Sequence, residues 1–152
     1  MVATTYNMTE HQGILAVDDE VIEANNQQSS TFLRFRLPPG SDAVKIVAME
    51  LRYVVADGEM AGGNRGAIFG VLPFEEAALE TSVPAQGGLL SMDPNPGLSA
   101  ESNSEIIRSI GMPVIAAGAI HLTIVPSGDN GLLIHGLESG EENAPTLFVY
   151  WI

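Results

Sequence analysis

Apolar and polar side chains alternate with a period of two through much of this chain, most clearly over residues 44–55. There Val47, Met49, Leu51, Tyr53 and Val55 share one face of an extended segment, and Ala48, Glu50 and Arg52 share the other. Such alternation predicts an antiparallel strand with one dry side and one solvated side. Upstream, residues 31–37 set Leu33, Phe35 and Leu37 against Arg34 and Arg36 before Pro38, Pro39 and Gly40 stop the run. The two segments are expected to pair in a meander.

Further strands are predicted over 67–72, 114–125 (one long or two short), 132–137 and 146–152, with a short one at 13–17. The separators PSGDNG and ESGEENAP suit tight hairpins, because Asp, Asn and Gly tolerate the positive φ such loops demand. The last three strands are therefore expected to pair consecutively. The final one sets Leu147, Val149 and Trp151 against Phe148, Tyr150 and Ile152, so it is apolar on both faces. That predicts a central or doubly covered position. Residues 18–23 read as an acidic turn and 24–30 as a polar connection. Residues 82–104, with Pro84, Gly87, Gly88, Pro94, Pro96 and Gly97, read as a long surface connection. The run FEEAALE at 74–80 favours one turn of helix. A second short helix is expected over 99–108, with Ser or Asn capping and Glu in the first turn.

At 152 residues the chain suits one domain, 1–152, and short strands joined by turns rich in Gly and Pro suit an all-β, antiparallel two-sheet sandwich. Six to eight strands are expected, with one or two short helices. The net charge of −13, from 19 acidic and 6 basic residues, repels phosphate backbones and anionic lipid, so neither nucleic acid nor membrane insertion is expected. Four of the cations, Arg34, Arg36, Lys45 and Arg52, fall close together in the chain and suggest a local cationic face for an acidic neighbouring copy. The ordinary reading of each is a solvated outward position. The absence of cysteine excludes disulfides, thiolate metal sites and a cysteine nucleophile. The first residues lack the pattern of a secretory signal, and no segment reaches the roughly 18–20 apolar residues of a spanning helix.

Candidate chemistry is sparse. His121 and His135 would come within reach of one another if their strands formed a hairpin about Asp129–Gly131, giving a metal or acid–base pair. Carboxylates cluster at Asp18, Asp19, Glu20 and Glu23, at Glu75, Glu76 and Glu80, and at Glu138, Glu141 and Glu142. None has the spacing of a known calcium loop, and solvated turns are the simpler reading. No serine elbow G-x-S-x-G occurs. GGNRG at 62–66 lacks the Lys-Ser/Thr of a phosphate cradle and reads as a flexible loop. Trp151 and most aromatics occupy positions expected to be core, which leaves no obvious sugar platform.

The strands TFLRFRL, VKIVAMELRYVV, AIHLTIV and TLFVYWI, the connection at 82–104, the acidity and the lack of cysteine together resemble the small coat proteins of viruses. The likeness is particularly to the single jelly-roll capsid subunits of tailless bacterial and archaeal viruses. It implies a jelly-roll-like sandwich and a structural virion protein, a coat or decoration subunit that assembles with copies of itself and with other virion proteins. It implies no catalysis and no cofactor, and it assigns no catalytic or metal residue. The alternatives are a ligand-binding β-sandwich for carbohydrate or calcium, and a cupin-like metal enzyme using His121 and His135.

Overall fold

The computed structural model describes residues 2–7, 14–22, 27–29, 31–43, 45–57, 62–75, 84–93, 99–125, 132–136, 140 and 142–152. Eight strands make a sandwich. One layer runs β1 (Val2–Asn7), β12 (Thr146–Trp151), β5 (Ile46–Val54), β8 (Glu105–Ile110). The other runs β4 (Thr31–Arg36), β10 (Ala119–Val125), β6 (Ala67–Val71), β7 (Gln86–Ser91). Neighbours are antiparallel throughout. β1 is the seam, since Val2 and Ala3 pair with β12 while Thr4–Asn7 pair with β4. Successive core strands cross between the layers except β6 and β7, which pair within one, and this is the order of a jelly roll, so the all-β antiparallel sandwich expected from the alternation is the fold.

Each layer turns its alternate apolar residues inward. Leu33, Phe35, Ile120, Leu122 and Ile124 meet Met49, Leu51, Tyr53, Leu147 and Val149 in one core, each at most 1% exposed. Burial of side chains this size stabilises by about 1.5–3 kcal/mol apiece. β12 is central, as its two apolar faces require.

The other strands are additions. β9 (Ile115–Ala116) folds onto β10 across Ala117 (φ 50°) and Gly118 (φ 71°), the positive-φ pair of a tight hairpin turn. β2 (Ile14–Ile22) lies between β3 (Gln27–Ser29) and β11 (Leu132–His135) in a small second sheet. That sheet hangs on the end of β5 through the Val55–Ile134 bridge and a 2.8 Å bond from Ala56 N to Leu133 O. With these additions the described strands number twelve, above the six to eight expected.

Several local expectations are corrected. β4 and β5 lie in opposite layers and do not pair. Nor do the last three strands pair with one another: β10 joins β4 and β6, β11 joins β2, and β12 joins β1 and β5. Residues 99–108 form a turn and then β8, not a helix. Ile106 and Ile110 suit a helical face as well as an alternating strand, and the free edge of β5 decides for the strand. β7 occupies part of the supposed connection 82–104, where Gly87 and Gly88 disguise it. β2 carries Asp18–Glu20 in a strand where a turn was expected, and β3 falls within 24–30. Phe74 and Glu75 belong to no helix, and the rest of the expected helix over 74–80 lies outside the described residues. Among the described residues the one helix is a single 3-10 turn, Ser41–Ala43.

Candidate functional site

The outward face of the β4–β10 pair is covered. Arg34 and His121 sit directly opposite one another in the ladder, with Phe32 opposite Thr123 and Arg36 opposite Ala119. Across this face lies Phe74, which meets the Phe32 ring edge-on at 5.9 Å and the His121 ring at 4.8 Å. Edge-to-face geometry suits the ring quadrupoles and seals the strip from water. Arg34, 7% exposed, donates from Nη1 to the Phe74 carbonyl and to Glu75 Oε2, both at 3.4 Å. Burial, and secondarily the Arg34 guanidinium, hold His121 below its ordinary 6.5, with Glu75 opposing. His121 is therefore neutral near pH 7.

Clefts open on both flanks of the β9–β10 hairpin. One, of about 320 Å³, is lined by Arg34, Arg36, Glu75 and His121 with Ala116 and Ala117. Another, of about 230 Å³, is apolar, walled by Leu72, Leu90, Met112, Pro113 and Val114, and reaches His121 from the other side. Its rim is conspicuously uncovered, with Val114 82% exposed and Leu72, Met112 and Ile115 also open. The start of β5 and the end of β12 add Val47, Trp151 and Ile152. Val47 was expected to point inward. A bulge after Tyr150 pairs Trp151 with Ile46, takes Val47 out of register and leaves it exposed. By antiparallel alternation all these residues belong to the side of the sandwich where β4, β6, β8 and β12 end. Uncovered apolar residues grouped in this way mark contact surfaces.

The opposite outer face, on β5, β8 and β12, is polar at its centre. Arg52 Nε donates to Glu105 Oε2 and Tyr150 Oη to Glu50 Oε1, each at 2.6 Å, and Arg52 also reaches the Glu142 carbonyl at 2.8 Å.

The residues singled out in the sequence are distributed as follows. His121 and His135 lie in different sheets, so the hairpin that would bring them together does not form. Among the described residues no His, Asp and Glu group of metal-binding size occurs. The four cations do not share a face: Arg34 and Arg36 lie on the outside of one layer, Arg52 on the outside of the other, and Lys45 beside Ile152, with which it exchanges backbone hydrogen bonds. Of the carboxylate clusters, Glu23, Glu76, Glu80, Glu138 and Glu141 lie outside the described residues. GGNRG packs against the start of the turn before β8: Gly63 O accepts from Ala100 N at 2.6 Å, and Gly62 lies so close to the Ala100 carbonyl that a Cβ would collide with it. Trp151 and Tyr150, expected in the core, are both partly exposed. The covered strip was missed because alternation marks Arg34 as outward but cannot show that Phe74 roofs it. No family model matches this chain, and no curated protein matches it in sequence.

Proposed function

We propose that this protein is a structural, self-assembling subunit of the virion coat or decoration type. The observation that supports the reading is a jelly-roll sandwich most of whose large exposed apolar residues, among them Leu72, Met112, Val114, Ile115, Trp151 and Ile152, gather at strand ends on one side, with Leu89, Met92 and Ile107 exposed elsewhere. A closed core with an uncovered apolar rim suits packing against symmetry-related copies. The acidity of the chain keeps subunits apart until oriented contacts form. Light scattering after size exclusion, followed by electron microscopy, tests the proposal. Large symmetric assemblies are expected; a monodisperse monomer at every salt and protein concentration would refute it.

Carbohydrate binding is the competing reading, favoured by the adjacent exposed Tyr150 and Trp151. A glycan-array hit lost in Trp151→Ala would favour it over assembly.

A further inference from the structure

We propose that the Arg34–Arg36–His121 cleft receives the acidic end of a second copy of this chain, so that subunits join head to tail. The inference deepens the assembly reading and rests on it. With 6 basic residues against 19 acidic, a surface that draws in another copy by charge must be one of few cationic ones. Arg34 and Arg36 hold alternate positions on β4 and so share a face, and both line the cleft. Among the described residues Glu75 is the one carboxylate lining it, and its side chain is 87% exposed, free to swing away from Arg34. Arg36 forms no ion pair among the described residues. The small Ala116 and Ala117 leave room beside the guanidinium groups, and the apolar cleft continues on the other flank of the hairpin. The fitting partner therefore interleaves carboxylates with apolar residues.

β2, ILAVDDEVI, has that composition, with Asp18, Asp19 and Glu20 among Leu, Val and Ile. It belongs to the sheet tied to the end of β5, whereas Arg36 ends β4 on the side where β5 begins. Cleft and acidic sheet thus occupy opposite ends of one molecule and meet only between molecules. A contact between unlike patches propagates into rings or lattices and does not close as a twofold dimer.

The lack of native cysteine permits a direct test. Arg36→Cys and Asp19→Cys proteins are mixed and oxidised; a mixed disulfide dimer exceeding both homodimers is expected. In parallel, Arg36→Glu should raise the protein concentration needed for assembly at least about tenfold, and Asp18→Lys with Asp19→Lys in the same chain should restore it. If the wild type assembles while Arg36→Glu assembles equally well and no mixed dimer accumulates, the head-to-tail contact is wrong and the assembly reading survives. If the wild type never assembles, both fall.

Discussion

Arg108 Nη1 donates to the Gly66 carbonyl at 2.7 Å, joining β8 in one layer to the loop that leads into β6 in the other. The same guanidinium reaches Arg65 O at 3.2 Å and Ser91 Oγ at 3.0 Å, and lies 3.5 Å from Tyr53 Oη. Gly111 N adds a bond to Leu90 O at 2.8 Å, so the otherwise open side between β7 and β8 is laced shut. Arg108 is 5% exposed, and no salt bridge reaches it among the described residues. Its charge is held by carbonyl and hydroxyl oxygens. Arg108→Met keeps the apolar stem but strands those oxygens, and should cost about 3 kcal/mol in urea denaturation. Arg108→Lys should recover less than half, because an ammonium cannot span two strands and a loop at once.

Burial raises the Tyr53 phenol above its ordinary 10.0, against the pull of Arg108. The unfolded chain ionises this group near pH 10 while the fold keeps it protonated. Its contribution is therefore complete below that pH and is lost as the solution becomes more alkaline. The stability gap between wild type and Tyr53→Phe should narrow as the pH rises through about 10 and above. A constant gap would show that the phenol ionises normally.

His121 carries the opposite sign. Its folded value lies below 6.5, so the unfolded state binds the proton more readily and stability falls as pH drops below that value. Arg34, Arg36 and Glu75 are the charged groups facing it. Denaturation midpoints at about pH 7.5 and 5 should differ more for wild type than for His121→Gln, once the loss common to both is subtracted.

Ala117 holds a φ of 50°, which an L-residue bearing Cβ adopts at a cost of about 1–2 kcal/mol. Asn tolerates this geometry, and Asn-Gly is the favoured pair for such a turn. Ala117→Asn, giving Asn before Gly118, should raise the melting temperature by a few degrees, roughly 2–4 °C per kcal/mol gained. Gly118→Val should lower it.

If the exposed rim is a contact surface, Val114→Asp combined with Met112→Lys should leave the monomer melting temperature within about 1 °C, as expected for exposed positions. It should abolish high-mass species in light scattering. Unchanged assembly would move the interface elsewhere on the molecule.

Alternation was enough to locate β4, β5, β6 and β12 and to name the inward residues Leu33 and Phe35 of β4 and Met49, Leu51 and Tyr53 of β5, but not to foresee that Val47 and Trp151 are exposed. It failed for partners, because any inward-facing apolar edge satisfies any other until loop lengths and twist choose among them. Leu51 pairs with Leu147 and Arg108, far away in the chain, and nothing local to Leu51 says so. β8 was hidden by its arginine: a charged residue between Ile106 and Ile110 breaks the inward pattern unless hydrogen-bond partners await it in the core. The candidate site was half visible. Arg34 and Arg36 announced a cationic stripe, but its roof came from Phe74, beyond two intervening strands, and no local periodicity reports such a contact.

β1 serves both layers and pairs residue 2 with residue 148, so it shapes how the molecule is made as well as its final form. During synthesis β1 must wait, unmated along one flank, until β12 has emerged from the ribosome. Closure of the sandwich is thus a late, long-range event. Nascent chains stalled before β12 has emerged should sit in a sticky, chaperone-dependent state.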